Sequence, residues 1–293
     1  PDNEYSLNFN DGDTLELDIQ EKWGINEFDC VIGNPPFKLS PKSSRTLWDK
    51  FVIKSLNEWL KSDGYFLFII PQGWRQLDNK VGKLILSKQL LYLNMNNAAF
   101  GQREFKCSTT IDYFLLHNKS PYENTVINDY NNDEYLYNLE GARFIPNHSI
   151  EIVNNYIDFT HEDGVIKDRS LYGTEKKWIS KTKSQEYKYP CVYTIRKDNE
   201  ISLRYSSIKE GHFGITKYII SNGTGYYKDK SGKYGCTEFS YYIICTKNDL
   251  DEIEKCFQDK KFLNIVDAVK LTSNRYNYVV LKHLKKNFWK EFI

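Results

Sequence analysis

Along the first 120 residues, compact apolar runs alternate with stretches in which apolar positions recur every three to four residues. That alternation predicts an α/β layer structure. Tyr5–Phe9 reads as a short strand, and Asp11-Gly12-Asp13 turns the chain after it. Phe28–Gly33 (FDCVIG) reads as a buried parallel strand closed by a glycine. Apolar residues at 48, 51, 52, 53, 56, 59 and 60 form a helical stripe over Trp48–Leu60. Asp63-Gly64 ends it, and Tyr65–Ile70 is a second apolar strand, stopped by Pro71. Val81–Leu90 is a second amphipathic helix, and Leu91–Asn96 and Thr109–Leu116 are strands suited to antiparallel pairing at a sheet edge.

Beyond this the pattern weakens and then changes. Residues 121–165 are rich in Asn, Tyr and acids, and read as a connector with one helix near Ser149–Tyr156. From about residue 160, short β-type runs (Cys191–Ile195, Lys217–Ile220, Tyr241–Cys245) are separated by turn clusters such as Ser221-Asn222-Gly223-Thr224-Gly225. Helical periodicity returns over Asn248–Gln258 and Leu263–Val269. The expected organisation is a catalytic domain over 1–120, an acidic connector over 121–165 and a mixed α+β domain over 166–293.

Composition adds limits. The chain has 293 residues, 40% of them hydrophobic and 27% charged, as expected of a soluble globular protein. Apolar runs such as Tyr65–Pro71 are strand-sized, so no membrane span is expected. The start, Pro1-Asp2-Asn3-Glu4, is acidic and unlike a signal peptide. A cytoplasmic location follows as an expectation, as does a piece of a longer chain, because residue 1 is not methionine. The six cysteines form no C-x-x-C pair and no Cys/His cluster of zinc spacing. No metal site is expected, and buried free thiols are.

Charge sharpens the division. Residues 1–120 carry a net −1, residues 121–165 a net −8, and residues 166–293 a net +10. The last segment interleaves cations with aromatics, as in Lys176-Lys177-Trp178 and Tyr187-Lys188-Tyr189. Such a composition is the electrostatic footprint of a nucleic-acid face. Within it, the glycine-punctuated stretch Thr224–Tyr234 is expected to be a loop that enters a groove, with Lys217, Lys228, Lys230 and Lys233 as candidate DNA contacts.

The candidate chemistry lies at Asn34-Pro35-Pro36-Phe37, directly after the first apolar strand. An exocyclic amine conjugated with a purine ring is a poor nucleophile. Acceptors on its N–H groups draw its lone pair toward sp3 geometry. The Asn34 side-chain oxygen is one such acceptor and the Pro35 carbonyl another, held by two successive prolines. Phe37 offers a face on which an extruded base can stack. No charged general base is needed, because stabilisation comes from positioned acceptors. The carboxyl end of a parallel strand is also where open α/β sheets bind ligands.

With these residues in view, FDCVIGNPPF resembles motif IV of the gamma-type DNA adenine-N6 methyltransferases of type II and fused restriction–modification systems. Asn10-Asp11-Gly12-Asp13-Thr14-Leu15 is similar to that family's motif III, which implies that Asp13 contacts the adenine ring of S-adenosylmethionine. Leu47–Leu60 with GYFLFIIPQGW (64–74) is similar to motifs V and VI, and Phe100–Leu116 to motifs VII and VIII. The resemblance covers roughly residues 5–118. It implies a partial Rossmann-like S-adenosylmethionine-dependent methyltransferase domain, with Asn34 beside both cofactor and target, followed by a target-recognition domain for double-stranded DNA.

The family's Gly-rich motif I should precede motif III, and no equivalent lies between Pro1 and Asn10. The cofactor site is therefore expected to be incomplete in these residues, and completed by a preceding segment or a further chain. Other readings stay open on sequence alone. One is a non-catalytic DNA-binding or specificity fragment of such an enzyme. Another is a nuclease using Asp168, Glu186 and Lys188, and a third is transfer to a glutamine amide or an RNA amine.

Overall fold

The computed structural model describes residues 7–40, 43–221, 225–270 and 276–293, which form two compact units, residues 1–148 and 149–293.

In the first unit, a short 3-10 turn, Thr14–Glu16, leads into α1, Ile19–Trp23. Asp18 caps α1 by accepting from the Gln20 and Glu21 N–H groups, and Gly24 closes it at φ 69°. Strand β1, Phe28–Gly33, precedes α2, Trp48–Lys54, which runs on as a π-type turn over Ser55–Trp59. Then come β2 (Leu60–Pro71), a 3-10 turn (Gln72–Arg75) and α3 (Lys80–Leu86). Strand β3 (Gln89–Asn96), α4 (Ala98–Phe105), β4 (Ile111–His117), β5 (Thr125–Asn128) and β6 (Glu134–Tyr137) complete it.

The six strands make one mixed sheet, ordered β1-β2-β4-β3-β5-β6. β1 and β2 are parallel, β4 is antiparallel to both β2 and β3, β5 runs parallel to β3, and β6 turns back on β5. This is the α/β sheet expected from the sequence; the β3–β4 pair is antiparallel as anticipated, but it lies in the interior of the sheet and not at its edge, because β5 and β6 continue the sheet beyond β3. The core is Phe66, Phe68, Ile70, Leu93, Phe114 and Leu116 on the central strands, with Val52 and Ile85 from the helices.

Four further expectations need revision. The segment 121–165 is not simply a connector, because β5 and β6 extend the sheet and the unit boundary falls after His148. Asp63-Gly64 does not separate a helix from a strand. It lies within β2, where the β1 register slips between Phe28 and Cys30. A side chain on Gly64 would come within 3.0 Å of the Asp29 carbonyl, so glycine permits this close strand approach. β1 itself is not buried: it is an edge strand among the described residues, and Cys30 and Ile32, which share one of its faces, are exposed, Ile32 by 72%, because no described residue covers that face. Of the expected strand Tyr5–Phe9, residues 5 and 6 lie outside the described residues, and Leu7–Phe9 form no strand.

The second unit begins with α5, Ile150–Tyr156. Its strands are β7 (Ile179–Ser180), β8 (Tyr189–Ile195), β9 (Ile201–Ser206), β10 (Lys217–Ser221), β11 (Tyr226–Asp229), β12 (Gly235–Cys236) and β13 (Ser240–Ile244). They form a sheet β12-β8-β9-β7 and an antiparallel sheet β11-β10-β13. Val192, Ile195, Ile219, Cys236 and Tyr242 bury between them. Helices α6 (Asp249–Cys256), α7 (Lys260–Ala268) and α8 (Tyr278–Leu281) follow, with Phe262 stacked on Phe288 at 5.3 Å. The mixed α+β character anticipated for the basic half is thus observed. All six cysteines are free, and Cys191, Cys236 and Cys256 are buried. Among the described residues, no helix is long and apolar enough to cross a membrane.

Candidate active site

β1 delivers Asn34 to the carboxyl end of the parallel pair. Gly33 stands level with Phe68 of β2, and a Cβ at position 33 would lie 2.6 Å from the Phe68 ring. Glycine is therefore required where the strand leaves the sheet. Beyond it, Asn34 and Pro36 are exposed, Pro35 is buried and Phe37 is half-buried. The prolines fix the backbone while the Asn34 amide stays accessible. Phe37 makes no ring contact with another aromatic among the described residues, and its carbonyl accepts from the Leu47 N–H at 3.2 Å. An antiparallel bridge between Lys38 and Thr46, with Leu39 N–H donating to the Arg45 carbonyl at 3.2 Å, returns the chain to α2.

The neighbouring turn after β2 is held by a buried polar network. Arg75 Nε and Trp74 Nε1 both donate to Asp112 Oδ2 at 2.8 Å. Arg75 Nη1 donates to the Ile145 carbonyl at 2.9 Å, and Nη2 to Gln72 Oε1 at 3.1 Å and Asn147 Oδ1 at 3.2 Å. Trp74, Arg75 and Asp112 are almost wholly buried. Burial pushes the Asp112 carboxyl above its ordinary range, against the pull of the Arg75 guanidinium. Asp112 stands opposite Ile70 in the register, so this pair pins the end of β2. Trp48 of α2 packs against Gly73 at the distance of an ordinary contact, 3.6 Å from where a Cβ would stand. The helix after the Asn34 loop and the turn after β2 therefore support one another. A lone Asp in the apolar run Thr109–Leu116, and Arg75 just past a strand stop, were the available sequence signals for this pair.

Asp13, just before the 3-10 turn Thr14–Glu16, is exposed, with Oδ1 accepting from the Leu15 N–H at 2.9 Å. No hydrogen bond joins it to Asn34 among the described residues. A cleft lined by Glu16, Asp18, Asn26, Lys54, Glu58 and Trp59 includes neither Asp13 nor Asn34. It borders the residues that lead into β1, whereas Asn34 leaves β1 at the other end.

In the second unit the candidate DNA contacts divide. Lys217 is fully buried, donating to the His212 carbonyl at 2.6 Å and paired with Asp229 at 3.1 Å. It is a core residue and cannot meet DNA, because its charge is spent inside the fold. Lys228 is mostly covered and bonded to Asp251 at 2.6 Å and to Glu254. Lys230 and Lys233 are exposed around the turn after β11. The expected loop Thr224–Tyr234 is chiefly strand β11 with that turn; residues 222–224 lie outside the described residues. Asp168, considered above as a metal ligand, instead accepts from the Ser170 N–H at 2.7 Å and lies 3.1 Å from His212 Nε2.

No protein-family model matches the chain. The modification methylase CviBIII of Paramecium bursaria Chlorella virus NC1A is 32% identical over 81 residues, and the match spans 24% of this chain and 22% of that protein. Among solved structures, the type IIL restriction-modification enzyme MmeI in complex with DNA aligns over 92% of this chain and 48% of its own, at 10% identity and TM-score 0.48. The type I restriction enzyme EcoKI M protein aligns over 40% of this chain and 28% of its own, at 11% identity and TM-score 0.30. Structural likenesses of this size carry no argument about function. Over the matched 81 residues the chain is similar to a modification methylase, and the match spans about a fifth of that relative's length.

Proposed function

We propose that this chain carries the target-amine pocket of a site-specific DNA methyltransferase that moves a methyl group from S-adenosylmethionine to adenine N6. The observation that carries the reading is the exposed Asn34 amide at the carboxyl end of β1, between a glycine exit and a buried proline. In this reading Asn34 Oδ1 and the Pro35 carbonyl accept from the two N–H groups of the amine, and Phe37 stacks on the extruded base. No side chain need remove a proton before attack, since the acceptors polarise the amine. S-adenosylmethionine supplies the electrophilic methyl. The described residues fit it in part: Asp13 offers an exposed carboxylate, and no segment here is assigned to its methionine end. The basic second unit is proposed as the DNA-recognition part, and cytoplasmic DNA as the partner.

The test uses the full-length protein in which these residues occur. Asn34→Ala should lower incorporation of labelled methyl into duplex DNA by about a hundredfold or more, the scale of losing one positioned hydrogen-bond partner. DNA affinity should not change. Nucleoside digestion of the wild-type product should give N6-methyladenine. Near-wild-type activity of the variant, or methyl found only on cytosine, overturns the assignment.

A further inference from the structure

At one end of the β7-β9-β8 sheet, Ile179, Ser206 and Tyr189 stand in one row across three strands. The residues just outside that row become neighbours: Trp178 before β7, Lys188 before β8, and Ser207 to Lys209 after β9. The Ser207 N–H donates to the Trp178 carbonyl at 3.0 Å, and Trp178 Nε1 donates to the Leu171 carbonyl at 2.7 Å, so the rim is tied down. Tyr187 Oη donates to the Lys177 carbonyl at 3.1 Å and secures the next stretch.

Cations gather on the aromatic faces of this rim. Lys188 Nζ and Lys209 Nζ lie 5.3 and 5.9 Å from the centre of the same Tyr189 ring, and Lys176 Nζ lies 5.8 Å from that of Trp178. Lys188 and Lys209 are exposed, and among the described residues none of the three lysines pairs with a carboxylate. Glu175, the acid beside Lys176, is held by Arg169 at 2.9 Å. Glu186 and Glu210 are exposed and make no ion pair among the described residues. Elsewhere in this unit Lys217, Lys228, Lys270 and Lys282 each hold an acid; Lys233 stands on Tyr234 without one, but among the described residues only Tyr189 carries two lysines.

Both ammonium groups are drawn to one ring, and among the described residues no carboxylate lies within ion-pair distance of either. Their stems lie along aromatic surface while the charged heads stay in water. Such a rim suits the repeating phosphates of a polyanion better than a base edge, because lysine acts as a point charge rather than a planar fork. We propose that Lys188 and Lys209, on Tyr189, form a phosphate-contact surface for duplex DNA. The inference rests on the DNA-methyltransferase reading and moves the DNA contact from Lys217 and Lys228 to this rim.

The experiment is fluorescence anisotropy of the full chain with labelled duplexes of unrelated sequence across a salt series. Replacing both lysines, Lys188→Gln with Lys209→Gln, should weaken binding by the same factor on every duplex. It should also lower the slope of log affinity against log salt by about two, close to 0.9 per lost phosphate contact. The charge-keeping pair Lys188→Arg with Lys209→Arg must retain the slope, which separates lost charge from lost fold. If the wild-type chain binds duplex steeply with salt and the Gln pair leaves the slope unchanged, the rim is wrong and the methyltransferase reading stands. If the wild-type chain shows no salt-dependent duplex binding, or the loss appears only with single-stranded RNA, both fall together.

Discussion

The two units use ionisable side chains in opposite ways around the places where they would meet nucleic acid. In the first, the groups at Asn34–Phe37 are uncharged acceptors and a half-buried aromatic ring, and the charge lies in the buried Arg75–Asp112 pair at the neighbouring turn after β2. In the second, one charge pair is also buried, Lys217–Asp229, but exposed lysines stand on aromatic rings at the rim without acids. The contrast separates two jobs that lysine and arginine do in one chain. A buried cation with a full set of acceptors fixes the backbone. An exposed one with none is available to a partner.

Breaking a buried pair from one side should give the largest effect. Lys217→Met leaves Asp229 buried without its counter-charge and should cost about 3–5 kcal/mol. Urea unfolding followed by circular dichroism would show it. Adding Asp229→Leu should recover part of that loss, though the Lys233 and Tyr234 N–H groups that Asp229 accepts from would then lose their partner. Arg75→Met in the first unit should be similarly costly. If Lys217→Met loses less than about 1 kcal/mol, its charge is solvated after all and the contrast between core and rim lysines fails.

This pair also marks where the sequence stopped being readable. Strand and helix order in the first unit was legible because fully apolar runs and helical stripes alternate cleanly. Whether β1 was buried was not, since the same FDCVIG serves a central or an edge strand. Lys217 beside Tyr218 looks like every other Lys-Tyr pair in the basic half. Its burial depends on Asp229 lying directly across the β10–β11 register, six residues beyond Gly223 as Lys217 lies six before it. The equal spacing of Lys217 and Asp229 about a Gly-rich stretch is the sequence signal for that pairing. The Asn34 motif was legible because consecutive prolines after a strand constrain the backbone locally, without help from distant residues. The β5–β6 extension was missed because four-residue strands in an acidic, Asn-rich stretch give almost no periodic signal.

Phe37→Ala comes next in size. Loss of a stacking face worth about 1–3 kcal/mol should reduce kcat/KM for methyl transfer by about tenfold to a hundredfold, with the unfolding midpoint unchanged. Kinetics on the full-length protein test it. Equal kinetics would mean that the uncharged site captures the base without this ring.

The pH dependence of the second unit should be smaller. Burial lowers the His212 pKa below its ordinary value, although Asp168 partly opposes this. The unfolded chain therefore takes up a proton near pH 6.5 that the folded unit resists. Stability should fall as pH drops below about 6.5 and stop falling below the folded pKa. His212→Gln should flatten that window, as read by thermal melts between pH 5 and 7. A flat wild-type profile would show that His212 titrates as freely folded as unfolded.

The smallest expected change bears most directly on the contrast. Lys228 carries the same ammonium group as Lys188 in the same unit, but it is largely covered and Asp251 and Glu254 already hold it. Two acids on one lysine leave no net positive charge for a phosphate to meet, and a phosphate brought there would face both carboxylates. Lys228→Gln should therefore leave the salt slope of DNA binding unchanged. Asp251 is exposed, while Lys228 and Glu254 are largely covered, so the loss should be about 1 kcal/mol and lower the melting midpoint by about 2–4 °C. A drop in slope equal to that of one rim lysine would mean that the acids release Lys228 when DNA arrives. Ion pairing within the free chain would then no longer mark which lysines are available.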